Sequence, residues 1–223
     1  MTTAVGIFGG TFSPIHHGHL RLAIELRERL GLDRVHLVPA GEPPHRDAPG
    51  VSARKRLQWV QLACAGEPGL VVDDREVRRG GRSFTYDTLS SLRSEMPEAS
   101  LVLLLGDDAA NQFHTWHRWR EIPELAHLVF VDRPSEAPAR DSRLLALMRD
   151  RQAKDPAALR SQPAGLFLSA SLPPLAISST RVRRLLKARR SICGLVPQAV
   201  IDSFTTEDID FLTHDEIPAK KDD

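Results

Sequence analysis

Six short apolar runs, each followed by a longer polar or amphipathic stretch, constrain this 223-residue chain more than any other feature. They lie at 4–8, 34–38, 70–72, 101–105, 127–131 and, less apolar than the rest, 165–168. Runs this short with little polar alternation suit strands covered on both faces. Strands that alternate with helices come together in parallel, so the expected fold is an α/β Rossmann-like parallel sheet with helices on both faces. Helices are expected where Leu22, Leu26 and Leu30 recur every four residues, with Gly31 as a stop, and at 52–65, 85–95 and 142–154. The expected organisation is one domain over 1–204, with a small C-terminal helical extension at about 178–204. The polar, acidic residues 205–223 are read as a flexible tail.

Composition narrows the function classes. Apolar residues make up 41% of the chain, enough for a sizeable core. Lys and Arg number 30 against 29 Asp and Glu, a net charge of +1, which argues against binding nucleic acid through bulk charge. Two distant cysteines, Cys64 and Cys193, form neither a disulfide framework nor a thiolate metal site. No stretch approaches the ~20 apolar residues that span a bilayer, and the start carries no secretion signal, so a cytoplasmic protein is expected.

The strongest local signal follows the first strand: Gly9-Gly10-Thr11-Phe12-Ser13-Pro14-Ile15-His16-His17-Gly18-His19. Paired glycines let the backbone turn and approach a ligand, with N–H groups free for phosphate oxygens. A helix beginning near His17 aims its positive end at the same place. His16 and His19, three residues apart, share a face of that helix start and can donate hydrogen bonds to a triphosphate, with His17 pointing away. A zinc site is the rival for a His-rich tract, but no Cys, Asp or Glu lies close enough in sequence to complete one. The G-x-G-x-x-G of dinucleotide-binding oxidoreductases is absent.

The element His16-His17-Gly18-His19 resembles the H-x-G-H motif of the nucleotidyltransferase superfamily. The fuller string from Gly9 resembles the amino-terminal signature of bacterial nicotinate-nucleotide adenylyltransferases. The same family carries an I-S-S/A-T-x-x-R motif, similar to Ile177-Ser178-Ser179-Thr180-Arg181-Val182-Arg183 here. Taken alone, that segment reads as a capped helix with a basic face. The resemblance runs from about residue 4 to residue 204.

It implies catalytic roles for His16, His19 and Arg183. ATP would be bound by Gly9, Gly10, Thr11, Phe12, Gly106, Asp108, Ile177, Ser179 and Thr180. The acceptor would be bound by His45, Arg46, Thr85, Trp116, His117 and Arg133. Thr85 lies in Ser83-Phe84-Thr85-Tyr86-Asp87-Thr88-Leu89, which looks like the family segment whose backbone N–H groups receive a nicotinate carboxylate. Trp116 matches the aromatic that stacks on the pyridine ring, while Trp119 is read as core. Asp108 would hydrogen-bond the nucleotide, with simple N-capping as its bland alternative. The implied reaction is transfer of the adenylyl group of ATP to nicotinate mononucleotide, with Mg²⁺ carried by the substrate. Nicotinamide mononucleotide and phosphopantetheine are rival acceptors, and a non-catalytic nucleotide-binding regulatory module is the rival class. A homo-oligomer is compatible with the sequence, though no residue pattern marks one. The chain departs from the family at Ser13, where Asp is usual, and at Arg181, expected to face solvent.

Overall fold

The computed structural model describes residues 2–42, 50–132, 140–172 and 175–214. Its centre is a parallel sheet of six strands: β1 (Ala4–Gly10), β2 (Arg34–Pro39), β3 (Leu70–Val72), β4 (Ser100–Gly106), β5 (His127–Asp132) and β6 (Phe167–Ser171). They lie in the order β3-β2-β1-β4-β5-β6, all parallel, so β1 and β4 are spatial neighbours although two strands and four helices separate them along the chain. This is the doubly wound order in which the chain returns across β1 to build the second half.

Nine α-helices stand among the described residues: α1 (His17–Arg29), α2 (Ala53–Cys64), α3 (Arg75–Arg79), α4 (Thr85–Glu95), α5 (Asp107–Gln112), α6 (Ser142–Met148), α7 (Ser179–Lys187), α8 (Gln198–Asp202) and α9 (Thr206–His214). Two apolar cores separate the layers. One holds Ala23 and Leu26 of α1, Trp59 and Val60 of α2, Val182 of α7 and Leu212 of α9. The other holds Leu89 and Leu92 of α4, Phe113, Trp119, and Leu144 and Met148 of α6. Central strands feed both by alternation: on β4, Val102 and Leu104 face the first core while Leu101, Leu103 and Leu105 face the second. Two-sided burial is why these strands read as unbroken apolar runs. Gly6 on β1 has no room for more, since a Cβ there would sit 2.9 Å from Leu32 and 3.0 Å from Val35.

Three expectations need correction. β1 does not turn at its paired glycines; it runs through Gly10, and the left-handed residue of the following loop is Phe12, with φ of 50°. The helix expected over 142–154 stops at Met148. Beyond it, Phe167 N–H donates to the Arg151 carbonyl and Ala153 N–H to the Phe167 carbonyl, both at 2.8 Å, so strand pairing to β6 takes the backbone groups a longer helix would need. The segment from Thr205 holds α9, tied down by a buried Leu212 and by Asp208, which accepts from Lys55 Nζ at 3.0 Å. Residues 215–223 lie outside the described residues.

Candidate active site

Because β1 and β4 send their following helices to opposite faces, a crevice opens between their carboxyl ends, where folds of this kind bind ligands. A cleft of about 660 Å³ fills it, walled by Gly9–Ser13 after β1, by Gly106 and Asp108 after β4, by the start of α4 and by the start of α7. Every residue assigned to a site on sequence grounds and lying among the described residues lines this cleft: His16, His19 and Arg183; Gly9, Gly10, Thr11, Phe12, Gly106, Asp108, Ile177, Ser179 and Thr180; Thr85, Trp116 and His117. His45, Arg46 and Arg133 lie outside the described residues.

His16 is the N-cap of α1, and its geometry fixes both imidazoles. His19 N–H donates to His16 Nδ1, and His16 N–H donates to His19 Nδ1, each at 3.3 Å, a reciprocal capping box built from two histidines. The rings stack with centroids 3.6 Å apart and 17° between planes. Phe12 closes edge-on against His19 at 5.1 Å. With Nδ1 engaged as an acceptor on both rings, each neutral imidazole carries its proton on Nε2. Burial lowers the His16 pKa to about 4, with the neighbouring His17 adding to the effect. It pushes His19 well below the usual histidine range too, reinforced by repulsion from His16. At neutral pH the pair therefore offers two neutral Nε2–H donors. His17 is not on the cleft wall; its N–H donates to the Leu195 carbonyl at 2.8 Å.

The start of α7 is laced to the glycine loop from 165 to 170 residues away in sequence. Ser178 caps the helix through the Arg181 N–H. Ser179 Oγ instead donates to the Pro14 carbonyl at 3.0 Å, and Arg183 Nη1 to the Ser13 carbonyl at 2.8 Å. Position 13 thus holds Arg183 through its backbone, and the Asp-to-Ser departure leaves this contact untouched. Arg181 is exposed, as expected. Gly18 lets the two segments approach: a Cβ there would lie 3.0 Å from His16 Nδ1 and 3.3 Å from the Ile177 carbonyl. The third residue of H-x-G-H is small because a histidine ring and a foreign backbone meet above it.

On the opposite wall, α4 begins at Thr85 with no side chain capping its first turn, so its leading N–H groups have no local side-chain acceptor. Trp116 is partly buried, its ring 5.6 Å from Phe113, and lines the cleft, whereas Trp119 is buried in the core. The N-cap of α5 is Gly106, so Asp108 is not an N-cap residue. A Cβ on Gly106 would meet nothing within 4 Å, which leaves open space above the end of β4. Sequence reasoning missed Glu76, which lies on the cleft wall, and Arg56, which lies behind it, both more than nine-tenths buried. Nothing in an amphipathic helix marks which arginine turns inward.

Fold and cleft together define a nucleotidyltransferase of the cytidylyltransferase-like type, whose family description matches residues 7–185. Similar sequences narrow the family. A probable nicotinate-nucleotide adenylyltransferase of Marinobacter nauticus is 49% identical over 88% of this chain and 92% of its own. Another, of Chromohalobacter salexigens, is 48% identical over 88% and 90%. The chain belongs to the nicotinate-nucleotide adenylyltransferase family. The fold is shared with Plasmodium falciparum nicotinic acid mononucleotide adenylyltransferase complexed with NaAD, at a TM-score of 0.65 and 15% identity over 94% of each chain. It is shared as well with a Vibrio parahaemolyticus protein described as a putative nicotinate-nucleotide adenylyltransferase, at 0.62 and 17% over 96% and 97%.

Proposed function

We propose that this protein transfers the adenylyl group of ATP to nicotinate mononucleotide, giving nicotinate adenine dinucleotide and pyrophosphate. A phosphate oxygen of the mononucleotide attacks the α-phosphorus of ATP as the bond to the β-phosphate bridging oxygen breaks, with no covalent enzyme intermediate. The observation that carries the reading is the stacked His16–His19 pair, its two Nε2–H donors set in one cleft with Arg183. Donors already oriented by backbone contacts stabilise charge on the α-phosphate and departing pyrophosphate without reorganising. The start of α1 adds its dipole. Gly9, Gly10, Thr11, Phe12, Ile177, Ser179 and Thr180 hold the triphosphate side of ATP, and Gly106 and Asp108 the nucleoside side.

The first N–H groups of α4 at Thr85 receive the nicotinate carboxylate, Trp116 stacks on the pyridine ring and His117 closes the same end. By resemblance, His45, Arg46 and Arg133 take the acceptor phosphate. Among the described residues no group of three or more His, Cys, Asp or Glu could hold a metal, and the described carboxylates on the cleft wall, Glu25, Glu76 and Asp108, stand on three separate elements. That sparse donor set fits a Mg²⁺ carried by phosphate oxygens and water, which would neutralise triphosphate charge. Among the described residues no helix is long and apolar enough to cross a membrane. A cytoplasmic setting is supported by the free thiols of Cys64 and Cys193.

The test is pyrophosphate release with ATP and Mg²⁺, comparing nicotinate mononucleotide, nicotinamide mononucleotide and phosphopantetheine. Preference for the first is expected. A folded protein that binds ATP but releases pyrophosphate with none would be a nucleotide-binding module and would end this reading.

A further inference from the structure

Arg56 is the only arginine on α2 that is buried, at 1% exposure, yet its guanidinium meets no carboxylate within hydrogen-bonding distance among the described residues. All its bonds go to backbone carbonyls. Nη1 donates to Thr11 and Nη2 to Gly41, both at 2.7 Å, while Nε donates to Val51 at 3.3 Å. Thr11 belongs to the ATP-side loop after β1, and Gly41 to the segment after β2. Burying a guanidinium is costly, and here desolvation lowers its pKa to about 10, partly offset by the nearby charge of Glu76. An apolar side chain could fill the same space without that cost.

Gly41 is gripped from the other side as well. Its N–H donates to Ser83 Oγ at 2.8 Å, and a Cβ on it would lie 2.9 Å from the Glu76 carbonyl oxygen. Ser83 N–H donates to the Glu42 carbonyl at 2.8 Å, and Glu42 N–H to the Gly81 carbonyl at 3.2 Å. Two residues past Ser83, α4 opens at Thr85. The buried Glu76 carboxylate completes the set, accepting from Thr88 Oγ1 on α4. Hydrogen bonds therefore run from the glycine loop, through Arg56 and Gly41, to Ser83, two residues ahead of α4.

We propose that Arg56 is a positioning residue that sets the distance between the ATP wall and the acceptor wall of the cleft. It touches neither substrate. Its planar fork spans the carbonyl of Thr11 in the ATP-side loop and that of Gly41, which is bonded to Ser83 just ahead of α4, a span the single point charge of lysine cannot hold at fixed spacing. In-line attack demands that two bound phosphates be held to within fractions of an ångström, and a misplacement of ~1 Å costs about 10²-fold. The inference rests on the function proposed above.

The experiment compares the full-length protein with Arg56→Lys and Ser83→Ala, reading melting temperature, kcat at saturation with both substrates, KM for the acceptor, and Kd for α,β-methylene-ATP. For Arg56→Lys the expected result is a kcat loss of roughly 10–100-fold in folded protein, with Kd for the ATP analogue changed less than about threefold. A folded Arg56→Lys protein with kcat within about twofold of the parent overturns the proposal, as does a Kd weakened in step with kcat. Should Arg56→Lys fail to fold, Ser83→Ala decides: it deletes one hydroxyl of the chain and is expected to lower kcat about 3–10-fold, and an unchanged kcat overturns the proposal. A parent inactive with nicotinate mononucleotide but active with another of the three acceptors ends the acceptor assignment alone, and the comparison is then read with that acceptor. A parent inactive with all three ends both.

Discussion

At the scale of single residues, the two stacked imidazoles hold a protonation state that the unfolded chain does not. Each uses Nδ1 to accept a backbone N–H, so taking up a second proton would break the cap of α1. His127, on β5, is held the same way: Leu166 N–H donates to its Nδ1 at 3.0 Å, Nε2 faces the Gln162 carbonyl at 2.9 Å, and burial lowers its pKa. All three have folded pKa values below the ordinary 6.5. Between that value and about 4, the folded pKa of His16, the unfolded chain binds protons the folded chain refuses. Stability is then full above pH 6.5 and falls as pH drops toward 4. The parent should melt roughly 5 °C or more lower at pH 5 than at pH 7.5. In His16→Asn, which keeps a capping side chain but removes one of these groups, the drop should be smaller. Equal drops in parent and variant would show that His16 is not held neutral by the fold. For activity, His19→Ala removes one pre-oriented donor and should lower kcat about 10²–10³-fold with the fold intact. Turnover within a few-fold of the parent would remove His19 from the mechanism.

At the scale of elements, the site depends on two helix starts meeting, α1 and α7, and Gly18 is where they touch. Gly18→Ala would press a methyl group against His16 Nδ1 and the Ile177 carbonyl, and the second is backbone that cannot swing aside. The expected outcome is a loss of roughly tenfold or more in kcat/KM, with the melting temperature lowered by only a few degrees. In paired kinetic and melting measurements, no change in either would show that the contact is slack, and a melting loss as large as the activity loss would show that the substitution destabilises the whole fold rather than the site.

Much of this geometry was legible in the sequence. The apolar runs become strands because burial on both faces leaves no polar position, and His16 and His19 share a face because three residues are nearly one helical turn. The expected glycine turn failed for a physical reason: Gly9 and Gly10 remain extended, and Phe12 takes the left-handed position. Arg56 and Glu76 stayed hidden because their burial is decided by loops that converge from four places along the chain. The short helix at 142–148 gave no local warning either, since the competing partner, Phe167, lies well beyond it.

At the scale of the whole molecule, the cleft is complete only when the ends of the chain meet. α7 carries Ser179 and Arg183 to the glycine loop, and what lies behind α7 is α9, read from sequence as a fraying tail. Amphipathicity there is masked by acid: Glu207, Asp208 and Asp210 crowd nine residues, so the single buried Leu212 carries little weight in the pattern. Yet Asp208 is itself buried, accepting from Thr205 just ahead of α9 and from Lys55, which ties α9 to α2 as well as to α7. Leu212 is 1% exposed, and Leu212→Ala should cost about 2–4 kcal/mol, or roughly 5–10 °C in melting temperature. It touches no substrate, so kcat at 25 °C should stay within about twofold of the parent. If α9 holds α7 in place, heat inactivation should shift downward in parallel with global melting. An inactivation midpoint that falls well below the melting midpoint would mean that α7 and α9 come away while the sheet persists. Midpoints that both stay at the parent's values would show that α9 contributes nothing to holding the site together.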